Sequence, residues 1–150
     1  MLAPILCPID FSDCSQRALE HAVELATALR TTVTVLHVVE PPDPLLQKQE
    51  YVEYLAQQYR APLQTLMHTL RSQYPTVVVS DAVVLEGKPA KTIADFAAQH
   101  NHGLVVVGTH GRTGIAHAVI GSVAERVVRT ARVPVLTIPP PRSGVEDGGG

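Results

Sequence analysis

The stretch Leu104-Val105-Val106-Val107-Gly108-Thr109-His110-Gly111-Arg112-Thr113-Gly114, with Gly121-Ser122 seven residues further on, decides the fold. Its opening aliphatic run is short, continuous and ends on a glycine, which reads as a strand buried on both faces. A glycine-rich loop follows, and helical spacing resumes at Gly121-Ser122 and runs through Arg129. Strand, loop and helix in that order form the repeating unit of an α/β domain. Glycines just beyond a strand let backbone N–H groups approach an anion without a Cβ in the way. At the helix start, unpaired N–H groups and the positive end of the helix dipole face the same space. Ser122 adds a hydroxyl for a phosphate oxygen or a metal-bound water. Taken alone, the glycines are equally compatible with tight turns; their placement between the fourth strand and the last helix favours an anion site.

The same alternation extends to both sides. Ala3–Ile9 is short, apolar and followed at once by polar turn residues, so it reads as a buried strand. Ser12–Arg30 carries Ala18, Leu19, Ala22, Val23, Ala26 and Leu29 on one helical face. Asp13 with Gln16 resembles a capping box at its start. Thr32–Val39 is a continuous β-branched strand. Prolines make Glu40–Pro44 a loop, and Leu45–Tyr74 favours helix with a kink or break expected at Pro62. Val77–Leu85 reads as a strand, and Gly87-Lys88-Pro89 opens a helix to about His100 with Pro89 in the first turn. Val133–Ile138 is the last strand. The order β-α-β-α-β-α-β-α-β implies a parallel sheet with helices on both faces, joined by right-handed crossovers. Ligands of such sheets bind beyond the carboxyl ends of strands where strand order reverses. That points to Ile9–Ser12, Val38–Pro41 and Gly108–Ser122.

Composition bounds the function. The 150 residues suit one domain, taken as 1–139, with a Pro- and Gly-rich tail over 140–150 expected to be disordered. Hydrophobic residues make up 45%, so a sizeable aliphatic core is available. A formal charge of −2 and 4% aromatics argue against nucleic acid, which demands clustered cations or stacking rings. No apolar run approaches the roughly 18 residues of a membrane span. Met1 leads straight into a strand pattern without a basic leader, so a cytoplasmic location is expected. Cys7 and Cys14 form no disulfide framework: Cys7 reads as core, and Cys14 lies where a helix dipole can lower a thiol pKa. The seven histidines show no His-Glu-x-x-His pattern, so a zinc site is not expected. His110 alone is placed to touch a phosphate, since it lies in the loop.

Gly108-x2-Gly111-x9-Gly121-Ser122 resembles the phosphate-loop signature of the ATP-binding branch of the universal stress protein family. The likeness runs from Pro4 to about Pro139 and includes Ile5–Ser12, Leu36-His37-Val38, Gly87-Lys88-Pro89, Val105–Gly114 and Val133–Ile138. It implies an open, Rossmann-like five-stranded parallel sheet of order 3-2-1-4-5, binding ATP with Mg²⁺. By the same resemblance Asp10, with Pro8 and Ile9, would meet the ribose and adenine edge, and Val38 would hold adenine through its backbone. Gly108 would sit against the ribose, His110, Gly111 and Arg112 would line the triphosphate, and Gly121, Ser122 and Val123 would cradle the terminal phosphates. A homodimer through Val133–Ile138 is also implied. Asp10 fits independently of the family, because a carboxylate ending the first strand can accept sugar hydroxyls; a plain loop or capping carboxylate is its structural alternative.

The leading function is therefore an ATP-binding stress-response sensor or regulator with little or no hydrolysis. The alternative is a slow ATPase or another nucleotide-processing enzyme on the same fold. Related enzymes carry a Ser-Gly-Gly loop or a His-x-Gly-His motif, and Asp10-Phe11-Ser12-Asp13 stands in that place here. A purely structural dimer is a third reading, against which the glycine loop argues. No Gly-Lys-Ser/Thr segment and no obvious base for water accompany the loop. A side chain at Gly121 is expected to block the anion while leaving the distant core and its stability unchanged.

Overall fold

Val33, Val35, Val105 and Val106 have no exposed surface, and each lies within a short strand. Burying such a side chain contributes about 1.5–3 kcal/mol, so these strands must be covered on both faces. The computed structural model describes residues 3–40, 49–110 and 120–141 and shows how this is done. The elements are β1 (Ile5–Pro8), α1 (Asp13–Leu29), β2 (Val33–Val39), α2 (Gln49–Gln73), β3 (Val83–Glu86), α3 (Pro89–Gln99), β4 (Leu104–Gly108), α4 (Ser122–Thr130) and β5 (Val135–Ile138). The five strands form one parallel sheet in the order β3-β2-β1-β4-β5.

Alternation along each strand divides the core in two. Ile5, Cys7, Ile9, Val33, Val35 and Val106 pack with the buried faces of α1 and α2. Leu6, Leu36, Val105 and Val107 pack with Ala90, Ile93 and Ala97 of α3 and Ala124 and Val127 of α4. The chain winds from β1 outward to β3, then crosses back to β4, so strand order reverses between β1 and β4.

Several boundaries differ from the sequence expectation. Ser12, not Asp13, caps α1: its side chain accepts the Ser15 N–H at 3.1 Å, and its carbonyl accepts from Gln16. The helix α2 runs unbroken through Pro62. Pro62 and Gln58 are both exposed, so the carbonyl left without its i+4 donor faces water while Leu63, Met67 and Leu70 bury the inner side. The third strand begins at Val83 rather than Val77. Val79 bridges to Val33, yet Val83 pairs with Leu36, so the outer chain carries one extra residue between the two points. That is a bulge. The last strand begins at Val135, with Pro134 contributing its carbonyl to Val105 N–H. Residues 142–150, most of the expected tail, lie outside the described residues. Among the described residues no helix is long and apolar enough to cross a membrane.

Candidate functional site

Pro8 opens the site by what it lacks. Ile5 N–H bonds Thr32 O and Ile9 N–H bonds Leu36 O, so the odd-numbered amides of β1 face β2. The even-numbered ones face β4, and Pro8 has no N–H to offer there. Pairing of β1 with β4 accordingly covers Ile5↔Leu104 and Leu6↔Val105 only. Beyond that point the two strand ends part at the place where strand order reverses, where α/β sheets bind their ligands. Continuing the register Pro8↔Leu36 puts Asp10 level with Val38.

The turn after β1 holds Asp10 in a web of short bonds. Asp10 Oδ1 accepts the Ser12 N–H at 2.9 Å, and the Asp10 N–H donates to Ser15 Oγ at 3.3 Å. Ser15, buried, donates its hydroxyl to Ser12 O at 3.0 Å. Phe11 follows in the left-handed region at φ 64°, an uncommon conformation for a residue with a Cβ. The loop-carboxylate role foreseen as the alternative for Asp10 is thus realised through Oδ1. Among the described residues Oδ2 has no hydrogen-bond partner.

The second wall comes from β4 and α4. A Cβ on Gly108 would lie 2.9 Å from the Cys14 carbonyl carbon and 3.0 Å from its Sγ, so glycine here lets the first turn of α1 seat against the strand end. Thr109 N–H donates to Ile138 O at 2.9 Å, and Cys14 Sγ donates to the same carbonyl at 3.2 Å. The Thr109 carbonyl accepts the Gly121 N–H, and its hydroxyl meets His110 Nδ1 at 2.9 Å. Thr109 therefore fixes the strand end, the start of α4 and the His110 ring together, a role that sequence reading missed. Only its place between Gly108 and His110 hinted at it.

Gly121 caps α4 with φ −73° and ψ 163°, angles open to any residue. The demand for glycine is spatial: a Cβ would lie 2.7 Å from Thr109 O. The first intrahelical bond is Glu125 N–H to Gly121 O. Among the described residues, nothing accepts from the amides of Ser122, Val123 and Ala124, as expected of a helix start left open for an acceptor. Ser122 and Val123 are exposed. Gly111 and Arg112, two of the expected triphosphate contacts, lie outside the described residues. Burial pushes the Cys7 thiol up, away from the thiolate, and Cys14 is buried with its Sγ donating to Ile138 O.

The universal stress protein family profile matches residues 1–139. The chain belongs to that family. A universal stress protein of Methanocaldococcus jannaschii is 30% identical over 142 residues, covering 92% of this chain and 82% of its own. Universal stress protein UspA from Lactobacillus plantarum superposes with a TM-score of 0.77 at 28% identity, covering 91% of this chain and 97% of the other. The universal stress protein from Archaeoglobus fulgidus, solved in complex with dAMP, superposes with a TM-score of 0.64 at 25% identity, covering 92% and 98%. The chain spans about half the length of the mycobacterial relatives it matches, 46% and 44% of two of them. The five-stranded order β3-β2-β1-β4-β5 is the one the family resemblance implied.

Proposed function

We propose that this universal stress protein binds ATP with Mg²⁺ at the parted ends of β1 and β4 and acts as a cytoplasmic, nucleotide-dependent sensor or regulator. The observation that carries the reading is the start of α4. Three amides with no acceptor among the described residues, those of Ser122, Val123 and Ala124, follow a glycine cap bonded to the end of β4, an arrangement suited to phosphate oxygens. The residues fit the nucleotide at its other end too: the unengaged Oδ2 of Asp10 faces the ribose hydroxyls, level with the Val38 backbone for adenine. Pro8, Ile9 and Gly108 form the floor between them, and His110, Gly111 and Arg112 extend the phosphate contacts. Ser122 supplies the protein hydroxyl for a Mg²⁺ held mainly by phosphate oxygens. The Archaeoglobus fulgidus relative was solved with dAMP, which supports an adenine nucleotide as the ligand class.

The site favours occupancy over chemistry. Bound Mg²⁺ would neutralise phosphate charge, while the chain's own groups orient the nucleotide through backbone amides. At the α4 end Glu125 is paired with Arg129 at 2.7 Å, and the His110 ring is engaged at Nδ1 by the Thr109 hydroxyl at 2.9 Å. Nucleotide released from protein purified without added ligand, together with calorimetric titration of ATP, tests the binding reading. Absence of nucleotide and of any heat of binding overturns it. A steady-state assay with Mg²⁺ separates sensor from enzyme: turnover near the ~10 s⁻¹ typical of enzymes, lost in Ser122→Ala, would overturn the sensor reading in favour of a nucleotide-processing enzyme.

A further inference from the structure

The Ile9–Asp10 peptide unit is held at both ends. Its N–H donates to Ser15 Oγ at 3.3 Å, and its carbonyl oxygen lies 2.8 Å from His37 Nδ1. A carbonyl only accepts, so Nδ1 carries the proton. The sheet register brings His37 level with Ile9, and the ring is buried on the α1–α2 side of β2, opposite to Val38. The same imidazole also packs the residue on the other side of Asp10: Phe11 meets it edge-on at 5.0 Å. Tyr59 of α2 closes the group, 4.4 Å from His37 and stacked on Phe11 at 5.7 Å with 13° between the planes. One buried ring thus grips residues 9 and 11, and Asp10 lies between them.

We propose that His37 is a positioning residue for ribose recognition: it fixes the peptide and the left-handed Phe11 that flank Asp10, so that the free carboxylate oxygen is presented to the sugar hydroxyls. The proposal rests on the nucleotide site described above. An aliphatic residue at position 37 would fill the core as well. The imidazole places a donor on Ile9 O and a ring against Phe11, and both contacts bear on Asp10 between them. Orientation of this kind matters because a charge-assisted bond to a hydroxyl weakens steeply when misaligned.

The test uses two ligands, ATP and 2′,3′-dideoxy-ATP, titrated calorimetrically into the full chain. Wild type is expected to prefer ATP. In His37→Phe, which keeps an aromatic ring but removes the donor, ATP affinity is expected to fall about tenfold while dideoxy-ATP affinity stays within about twofold. In His37→Asn, whose amide nitrogen takes the place of Nδ1, the preference for ATP is expected to return even though thermal stability drops with loss of the ring. A purely structural role for His37 would weaken both ligands together, and equal losses for the two would overturn the proposal. Nitrogen-15 NMR of the wild-type histidines gives a check that needs no variant: His37 in the Nδ1–H tautomer supports the proposal, and the Nε2–H tautomer sinks it. If wild type binds neither nucleotide, the binding reading falls first and this one with it. If wild type binds both equally, only the ribose assignment falls.

Discussion

The two oxygens of Asp10 carry two roles, one observed and one proposed. Oδ1 stabilises the turn into α1 through Ser12 N–H, while Oδ2, without a hydrogen-bond partner among the described residues, is the one proposed for the ligand. The two can be separated by substitution. Asp10→Asn keeps an acceptor for Ser12 and removes the charge, so stability should hold while ATP affinity falls about 10-fold, in line with charge-assisted bonds worth about 1.5–3 kcal/mol. Asp10→Ala should lose affinity and also lower the melting temperature; an Asn variant with wild-type affinity would return Asp10 to its turn role alone. At the far end of the sheet, His102 is buried beside Phe96, and neither ring nitrogen has a partner among the described residues. Burial, and then the neighbouring His100, lower its pKa below the ordinary 6.5. The unfolded chain therefore takes up this proton first, and the stability present above pH 6.5 is lost as pH falls from there toward the folded pKa. Melting curves from pH 8 to 5 should show the decline, and His102→Met should flatten it; an unchanged slope would discount the residue. Asp10 and the loop glycines were legible from sequence because they stand at strand ends, where position alone implies a role. Thr109, Ser15 and His37 were not, because their partners are supplied by register and turn geometry.

Among elements, α4 shows how a space requirement can pass for a conformational one. Gly121 has ordinary angles, yet its Cβ would collide with the Thr109 carbonyl. Gly121→Val should therefore abolish nucleotide binding and also destabilise the free protein by about 1–3 kcal/mol, the usual cost of overpacking. That corrects the expectation of unchanged stability, which considered only the ligand's side of the glycine. Calorimetry and thermal unfolding on the same sample check both halves, and a melting temperature equal to wild type would show that the Thr109 strand end yields freely. The order of elements was readable throughout because each continuous aliphatic run is short and each helical face is regular. The errors fell where context overrides local pattern. Pro62 is tolerated because it faces water, and Val77–Ala82 satisfies a strand pattern yet pairs with β2 only at the Val79–Val33 bridge, a bulge separating that bridge from the continuous ladder that begins at Val83.

For the whole molecule, the unfinished feature is the outer edge of β5. The bonds Val105 N–H to Pro134 O and Thr109 N–H to Ile138 O turn the even-numbered peptide groups of β5 inward. The peptide groups of Val135 and Thr137 are left facing outward, and among the described residues nothing pairs with them. Leu136 is 38% exposed on that strand, and Val128 of α4 is 49% exposed. An apolar edge strand with no charged residue of its own invites a further strand, and a two-fold axis would pair β5 antiparallel with its copy. We expect a homodimer, with a mass near twice 16.1 kDa. Thr137→Pro offers a selective test, since it removes an outward N–H while sparing the bonds to β4, and proline is accommodated at strand edges. Light scattering at micromolar concentration should give the dimer for wild type and the monomer for Thr137→Pro. Because Ile138 O also holds Thr109 N–H, next to the proposed nucleotide site, nucleotide affinity measured on both forms would reveal whether the edge and that site communicate. A wild-type mass of one chain, with and without ATP, would exclude the edge as a dimer interface.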